Sequence, residues 1–264
     1  MNNKMIKLLK KIIKKFANLL GFEVSKFYPE LKQKTFDEIY KEILDNNITV
    51  IDVGANRGQS IDRFKKVFDS YNIHSFEPID FEFKNLVNKY NNKNNIYLNN
   101  SALGEKKEKK IFNINHYTGS SSFLKVTDNT DWLKLRSREH GIRQEEFLKK
   151  KEEVQVDTLD NYSEKNNISK IDILKIDTQG YELNVLKGAK KLIDARKISF
   201  IELELIFSDL YENTLTIGDI ENVLGKNYRL FANDNFGNLY SNMIFQLNLI
   251  YVEKQFFKML QQKR

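Results

Sequence analysis

No cysteine occurs in the 264 residues. That excludes a disulfide framework, a thiolate zinc site and a cysteine nucleophile. Histidine is scarce too: His74, His116 and His140 are the full set, which argues against a His-built metal centre. No apolar run approaches the roughly 18 residues that a membrane-spanning helix needs. The chain has no G-x-S-x-G elbow, against a Ser-His-Asp hydrolase, and no G-x-x-x-x-G-K-[ST] phosphate loop.

Charge is present but unevenly placed. Residues 1–34 hold nine Lys and two Glu, the whole net charge of +7, so that the remainder is balanced. A nucleic-acid enzyme would carry its basic surface on the domain itself; here it sits on an N-terminal arm, and no nucleic-acid partner is expected. Within that arm, Met5, Leu8, Leu9, Ile12, Ile13, Phe16, Leu19 and Leu20 recur at helical spacing, with Lys4, Lys7, Lys10, Lys11, Lys14 and Lys15 between them. Such a helix over residues 1–22 suits an anionic membrane surface. It could equally dock on its own domain or on a second subunit of a homo-oligomer. Lysines interrupt any signal-peptide core, and Gly21 offers a C-cap.

The stretch that organises the rest is Val50-Ile51-Asp52-Val53-Gly54-Ala55-Asn56-Arg57-Gly58. An apolar run ends in two glycines and a helical pattern follows, which reads as strand, tight turn, helix. Glycine at the turn admits positive φ and close approach of backbone N–H groups to a ligand. The third glycine of the G-x-G-x-x-G dinucleotide form is missing. The next strand-like run, Ile73 to Phe76, ends at Glu77, about 20 residues past the turn, where a ribose-binding acid belongs in dinucleotide sites. A carboxylate there can accept from both ribose hydroxyls.

Further elements follow in order. Residues 35–47 and 60–68 read as helices, with strands near 48–53, 72–77 and 96–99, and a helix over 79–90 between the last two. This βαβαβ alternation argues for a parallel, doubly wound sheet. An antiparallel strand is expected over 107–115, then a polar Ser-rich loop at Ser120 to Ser122. Residues 124–152 are highly charged and carry the sole tryptophan, Trp132; they read as a helical insertion, their charge mostly solvated. A short strand over 154–156, a core strand over 171–176, one helix over 182–193, a strand over 198–205, a helix over 217–224 and closing strands over 228–231 and 244–252 complete the chain. The expected organisation is a basic arm, 1–34, and one domain, 35–264.

Three acids fall at strand C-termini, Asp52, Glu77 and Asp177, and share one rim in an open parallel sheet. Asp177 could accept a hydroxyl proton or hold a divalent cation, or it could only cap the next helix. Glu202 and Glu204 share one face of their strand; inward they must be paired or poised, at an edge they are merely solvated. His116 is a second candidate base, since its ordinary pKa is near neutrality.

Val50–Gly58, Phe76-Glu77-Pro78, Asn100–Gly104, Ser120–Ser122, Val156–Asp160 and Leu174–Ala189 together resemble the successive motifs of FkbM-type methyltransferases, over about three-fifths of the chain. Where that pattern often reads Val-Glu-Gly after the aspartate, this chain has Thr178-Gln179-Gly180. The resemblance implies a class I methyltransferase fold: a Rossmann-like α/β domain, its seven-stranded, mostly parallel sheet covered by helices on both faces and closed by an antiparallel strand. It implies S-adenosylmethionine as donor and a hydroxyl of a sugar, glycan, glycolipid or glycosylated metabolite as acceptor. Asp52, Gly54, Ala55, Asn56 and Gly58 would surround the methionine and sulfonium, Glu77 would bind the ribose, and Ser101, Ala102 and Leu103 would line the adenine. Asp177 would lie between donor and acceptor as first-choice base, with His116 second and a divalent metal left open. Competing expectations are a nicotinamide-dependent oxidoreductase and a non-catalytic partner in a membrane-associated glycan assembly. Composition is compatible with a bacterial cytoplasmic protein, peripheral at the inner membrane face if the arm binds lipid.

Overall fold

The computed structural model describes residues 3–21, 34–45, 47–91, 93–212, 215–236 and 246–262. Residues 1, 2 and 22 of the expected arm helix, and 244 and 245 of the expected closing strand, lie outside these. The chain divides into two compact units, Met1–Thr35 and Phe36–Arg264. The first unit holds helix α1 (Asn3–Leu19). Among the described residues no helix is long and apolar enough to cross a membrane.

The second unit begins with α2 (Phe36–Ile43), β1 (Ile48–Val53), α3 (Gln59–Val67), β2 (Tyr71–Phe76), α4 (Asp80–Tyr90) and β3 (Ile96–Asn99). Then come β4 (Ala102–Leu103), β5 (Glu108–Asn115), α5 (Asp131–Glu139), β6 (Leu148–Asp157), α6 (Leu159–Lys165) and β7 (Ile171–Ile176). The chain closes through α7 (Glu182–Lys187), α8 (Lys190–Asp194), β8 (Ile198–Ile206), α9 (Ile217–Leu224), β9 (Tyr228–Phe236), β10 (Gln246–Glu253) and α10 (Lys254–Gln262).

The main sheet has seven strands in the order β3-β2-β1-β7-β8-β10-β9. Pairs from β3 to β8 are parallel, and β10 runs antiparallel between β8 and β9. This is the class I methyltransferase sheet. The chain leaves β1 toward β2 on one side and reaches β7 on the other, so the order reverses at the end of β1, where an open α/β sheet forms its ligand crevice.

Strand periodicity sorts the core into two layers. Ile51, Val53, Leu174 and Ile176 pack on the side of α6 to α9, with Val185, Leu186 and Ile220. Val50, Ile73, Ile173 and Phe200 pack on the other side, against Tyr40, Phe64 and Leu86 from α2, α3 and α4. These four are register partners, Ile73 with Val50, Val50 with Ile173, and Ile173 with Phe200, and make one apolar row across the sheet.

Two expectations are corrected. The stretch 124–152 is not wholly helical: α5 covers only 131–139, and residues 148–152 belong to β6, which pairs with β5 and β4 in a second, three-stranded sheet. The first half of β6 is mostly exposed and charged, so it lacks the apolar alternation that marks a strand. The helix expected over 182–193 is broken into α7 and α8. A Cβ on Gly188 would lie 1.9 Å from the Gly104 carbonyl oxygen, so the backbone passes where only glycine fits. Asp160 seals the break: its amide donates to the Gly188 carbonyl at 3.0 Å, and its carboxylate accepts from the Lys191 and Leu192 amides at 2.9 and 3.1 Å.

Gly188→Ala should therefore lower the melting temperature by several degrees, in line with the 1–3 kcal/mol typical of overpacking. Gly218→Ala in α9, whose nearest neighbour to a new Cβ is 3.6 Å away, should be neutral or stabilising. Differential scanning calorimetry of the two variants tests the contrast.

Candidate functional site

Beyond the apolar row Ile73–Val50–Ile173–Phe200, the next register row on the same face is Ser75–Asp52–Lys175–Glu202. Each lies two residues further along its strand and must point the same way. A buried lysine in a central strand requires partners. Lys175 Nζ lies 3.5 Å from Asp52 Oδ1 and 3.4 Å from Asp177 Oδ2. Burial opposes the ammonium charge, but Asp177, Asp52 and Glu202 outweigh it and hold the group protonated above its ordinary range. Asp52 is pushed up by its own burial, against the pull of Lys175 and Ser75. Glu202 is held by Arg63 (2.6 and 3.0 Å) and accepts from the Tyr40 hydroxyl at 2.8 Å.

Two residues further on, the strands end at Glu77, Gly54 and Asp177, with Glu204 beside them on β8. The Gly54 amide donates to the Phe76 carbonyl and the Asp177 amide to the Val53 carbonyl, so the three loop entries stay in register. Gly54 has φ +85°, and a Cβ there would sit 2.0 Å from the Asp177 carbonyl oxygen. Only glycine lets the two loops approach so closely. Glu77 is buried, and its Oε2 and Oε1 accept from the Asn56 and Ile79 amides, each at 2.8 Å. Burial pushes the Glu77 carboxyl up to about 7, although those two amides pull the other way.

Asp177 does not cap the following helix. No side chain caps α7; Glu182 instead ties down the preceding loop, its Oε1 accepting from the Thr178 and Gly180 amides at 2.9 and 3.1 Å. Asp177 is left to face Glu204, close enough for each carboxyl to shift the other. Gln179 Nε2 binds both, at 3.0 Å to Asp177 Oδ1 and 2.6 Å to Glu204 Oε2, and Gln246 donates to Glu204 Oε1 at 3.1 Å. Burial works against ionising Asp177, but Lys175 and Gln179 hold it below the usual carboxylate range. The Asp177 charge, then burial, push Glu204 up. The turn is strained: Gln179, not glycine, has φ +56°, and its carbonyl is anchored by the Ser122 hydroxyl at 2.8 Å.

A cavity of about 320 Å³ joins these groups. One end is bounded by Gly54, Asn56, Glu77, Ile79, Ala102 and Leu103; the other by Asp177, Gln179, Glu204, Trp132, Arg136 and Tyr117. Of the residues expected to hold the donor, Gly54, Ala55, Asn56, Glu77, Ala102 and Leu103 line it. Asp52, Gly58 and Ser101 do not. Asp52 lies one row below, paired with Lys175, and the space beside Gly58 is filled by Tyr90, whose hydroxyl donates to the Gly58 carbonyl at 3.0 Å. His116 is exposed, its amide bonded to the Phe147 carbonyl, and it is not a lining residue, so the structure gives it no route to the site.

Lys175, Gln179 and Gln246 complete the cluster and were not assigned roles from sequence. The signal for Lys175 was there: a lysine inside Ile171–Ile176 and an aspartate inside Ile48–Val53 are opposite charges in two apolar central strands. Trp132 and Arg136 reach the cavity from the charged stretch expected to be solvated, with the Arg136 guanidinium 5.3 Å from the Trp132 ring. Among the described residues no group of three or more His, Asp or Glu side chains is arranged to hold a metal ion.

The family model described as "Methyltransferase FkbM domain" matches residues 52–232. A curated relative, "Methyltransferase 1" of Beauveria bassiana (strain ARSEF 2860), is 25% identical over 144 residues, which are 53% of this chain and 57% of that protein. The match thus spans little more than half of that relative's length. Among solved structures, a putative methyltransferase from Streptococcus mutans in complex with SAH is similar at 10% identity and a TM-score of 0.41, over 87% of this chain and 99% of that one. A TehB-like SAM-dependent methyltransferase from Corynebacterium glutamicum is similar at 8% identity and a TM-score of 0.42, over 95% and 100%.

Removing the cation from the buried row leaves two carboxylates uncompensated. Lys175→Met should cost about 3–5 kcal/mol in urea unfolding. Adding Asp52→Leu should recover part of that loss, because an apolar pair replaces a broken ionic one. A loss below about 1 kcal/mol would mean that the row does not depend on the lysine.

Proposed function

The chain belongs to the FkbM methyltransferase family, and from that premise we propose that it transfers a methyl group from S-adenosylmethionine to a hydroxyl of a sugar, glycan or glycosylated metabolite. The observation that carries this reading is one cavity with a buried carboxylate at the β2 end and, at the β7 end, two carboxyls bridged by the Gln179 amide. The residues fit the donor. Glu77 stands where a ribose diol can donate to it. Ile79, Ala102 and Leu103 offer an apolar slot for a flat base, and the Gly54 turn admits a close backbone approach.

When bound, S-adenosylmethionine supplies an electrophilic methyl group on a sulfonium. The protein's part is to align the acceptor oxygen and receive its proton. Asp177, ionised and fixed by Gln179 and Lys175, accepts the hydroxyl proton, and Glu204 shares it. Tyr117, Trp132 and Arg136 flank the acceptor end, amphipathic surfaces suited to a polyol. A sugar alcohol is weakly acidic, so a pair that already holds one proton accepts another with difficulty. The competent form is the one in which Glu204 has lost its proton, and that form accumulates as pH rises, since the Glu204 carboxyl is pushed up.

The first test is calorimetric titration with S-adenosylhomocysteine. Binding should weaken by about 10-fold or more in Glu77→Ala, the loss of a charge-assisted hydrogen bond. An unchanged affinity would remove Glu77 from the site, and binding of NADH instead would restore the oxidoreductase reading.

Methyl transfer, followed with labelled donor and a panel of glycans, should be faster at alkaline than at neutral pH. Glu204→Gln, which cannot release a proton, should lower kcat by about 10²-fold or more and flatten the profile. An identical pH profile in the variant would exclude the pair as base.

A further inference from the structure

Helix α1 has an unusually clean separation of its two faces. At about 100° per residue, Met5, Leu8, Leu9, Ile12, Ile13, Phe16, Leu19 and Leu20 occupy an arc of about 140°. Lys7, Lys10, Lys11, Lys14 and Lys15 occupy about 140° on the opposite side. The eight apolar side chains are each more than half exposed, Leu19 reaching 81%. Asn3–Leu19 contains no acidic residue. Exposed apolar surface of this extent is a binding surface in a protein that stays in solution without aggregating.

We propose that α1 is a membrane-surface anchor, lying flat on a bilayer that carries anionic lipid. Three features select that occupant. The apolar arc is broad, whereas a coiled-coil partner needs only a narrow seam. The borders of the arc are lysines with no acid among them, so a second copy of the same helix would bring like charge against like. Negative headgroups complement that border, and lysine stems can lie along the interface while their ammonium groups stay wet. The length is right for lying on the surface and the charge is wrong for crossing it: among the described residues no helix qualifies as a span. The consequence is a methyltransferase held at a surface where acceptors attached to lipid would be concentrated. The anchor itself does not depend on the methyl-transfer reading.

The test is cosedimentation of the full chain with vesicles, either phosphatidylcholine alone or phosphatidylcholine with about one-third phosphatidylglycerol. Binding should be several-fold stronger to the anionic vesicles and fall steeply between 0.1 and 0.5 M salt, on the order of the change in screening length from about 10 Å to a few Å. Ile12→Glu/Phe16→Glu should abolish it while S-adenosylhomocysteine titration of the same variant is unaltered. Equal binding by wild type and variant, or no binding to either vesicle, would overturn the anchor. So would sedimentation velocity showing a wild-type dimer that the variant converts to monomer, because the apolar arc would then belong to a second copy.

Discussion

The site depends on one buried cation. Lys175 sits in the middle of the central parallel strands, and an ammonium taken out of water carries a penalty of several kcal/mol unless it is met by opposite charge. Asp52 on one neighbouring strand and Asp177 two residues further on meet it. Because partners must stand within ion-pair distance, the requirement also fixes geometry. It holds the ends of β1 and β7 level, which is where Gly54 lets their loops touch. The same charge lowers Asp177 and so decides which carboxyl of the Asp177–Glu204 pair is ionised. One lysine thereby couples the register of the sheet to the protonation of the cleft.

Around that cation the loop after β7 is over-determined. Gln179 takes a left-handed backbone that a side-chain-bearing residue reaches only at some cost, and its position is secured three ways. Its amide spans both carboxyls, its carbonyl is bound by Ser122, and the adjoining amides of Thr178 and Gly180 are bound by Glu182. Ser122 comes from the segment after β5, so the second sheet reaches back to brace the end of the first. Strain retained at a cleft and braced from a separate layer is what a pre-organised site requires.

Much of this was legible in the sequence, for reasons that can be named. Parallel strands buried on both faces are near-continuous apolar runs, so β1, β7 and β8 stand out. The Gly54 turn and the acid at Glu77 are local signals at a fixed separation. What escaped reading was non-local. Glu202 and Glu204 look alike in the sequence, yet one is neutralised by Arg63 from α3 and the other faces Asp177; only tertiary pairing separates their roles. The first half of strand β6 hid because an exposed ladder of lysines and glutamates has no apolar period. His116 attracted notice for its pKa alone, and the fold leaves it exposed and away from the cavity lining. Asp52 lies one row below the rim on which it was expected, and the lysine that binds it there is more than a hundred residues away in the sequence.

The amide at position 179 bears on how the cluster manages its charge. Asp52, Asp177 and Glu204 are three carboxyls in a confined volume, and like charges at hydrogen-bond range cannot all ionise without compensation. The chain supplies compensation from its own residues. Lys175 offsets one charge, a retained proton offsets a second, and the N–H donors of Gln179 and Gln246 solvate what remains. A carboxylate at position 179 would replace those donors with a fourth negative group and create a demand for a bound cation. With glutamine there, the pair's proton is the variable element. In the proposed reaction, the chemistry at the acceptor end would be set by how readily that proton leaves, and hence by how firmly Lys175 holds Asp177 ionised beside it.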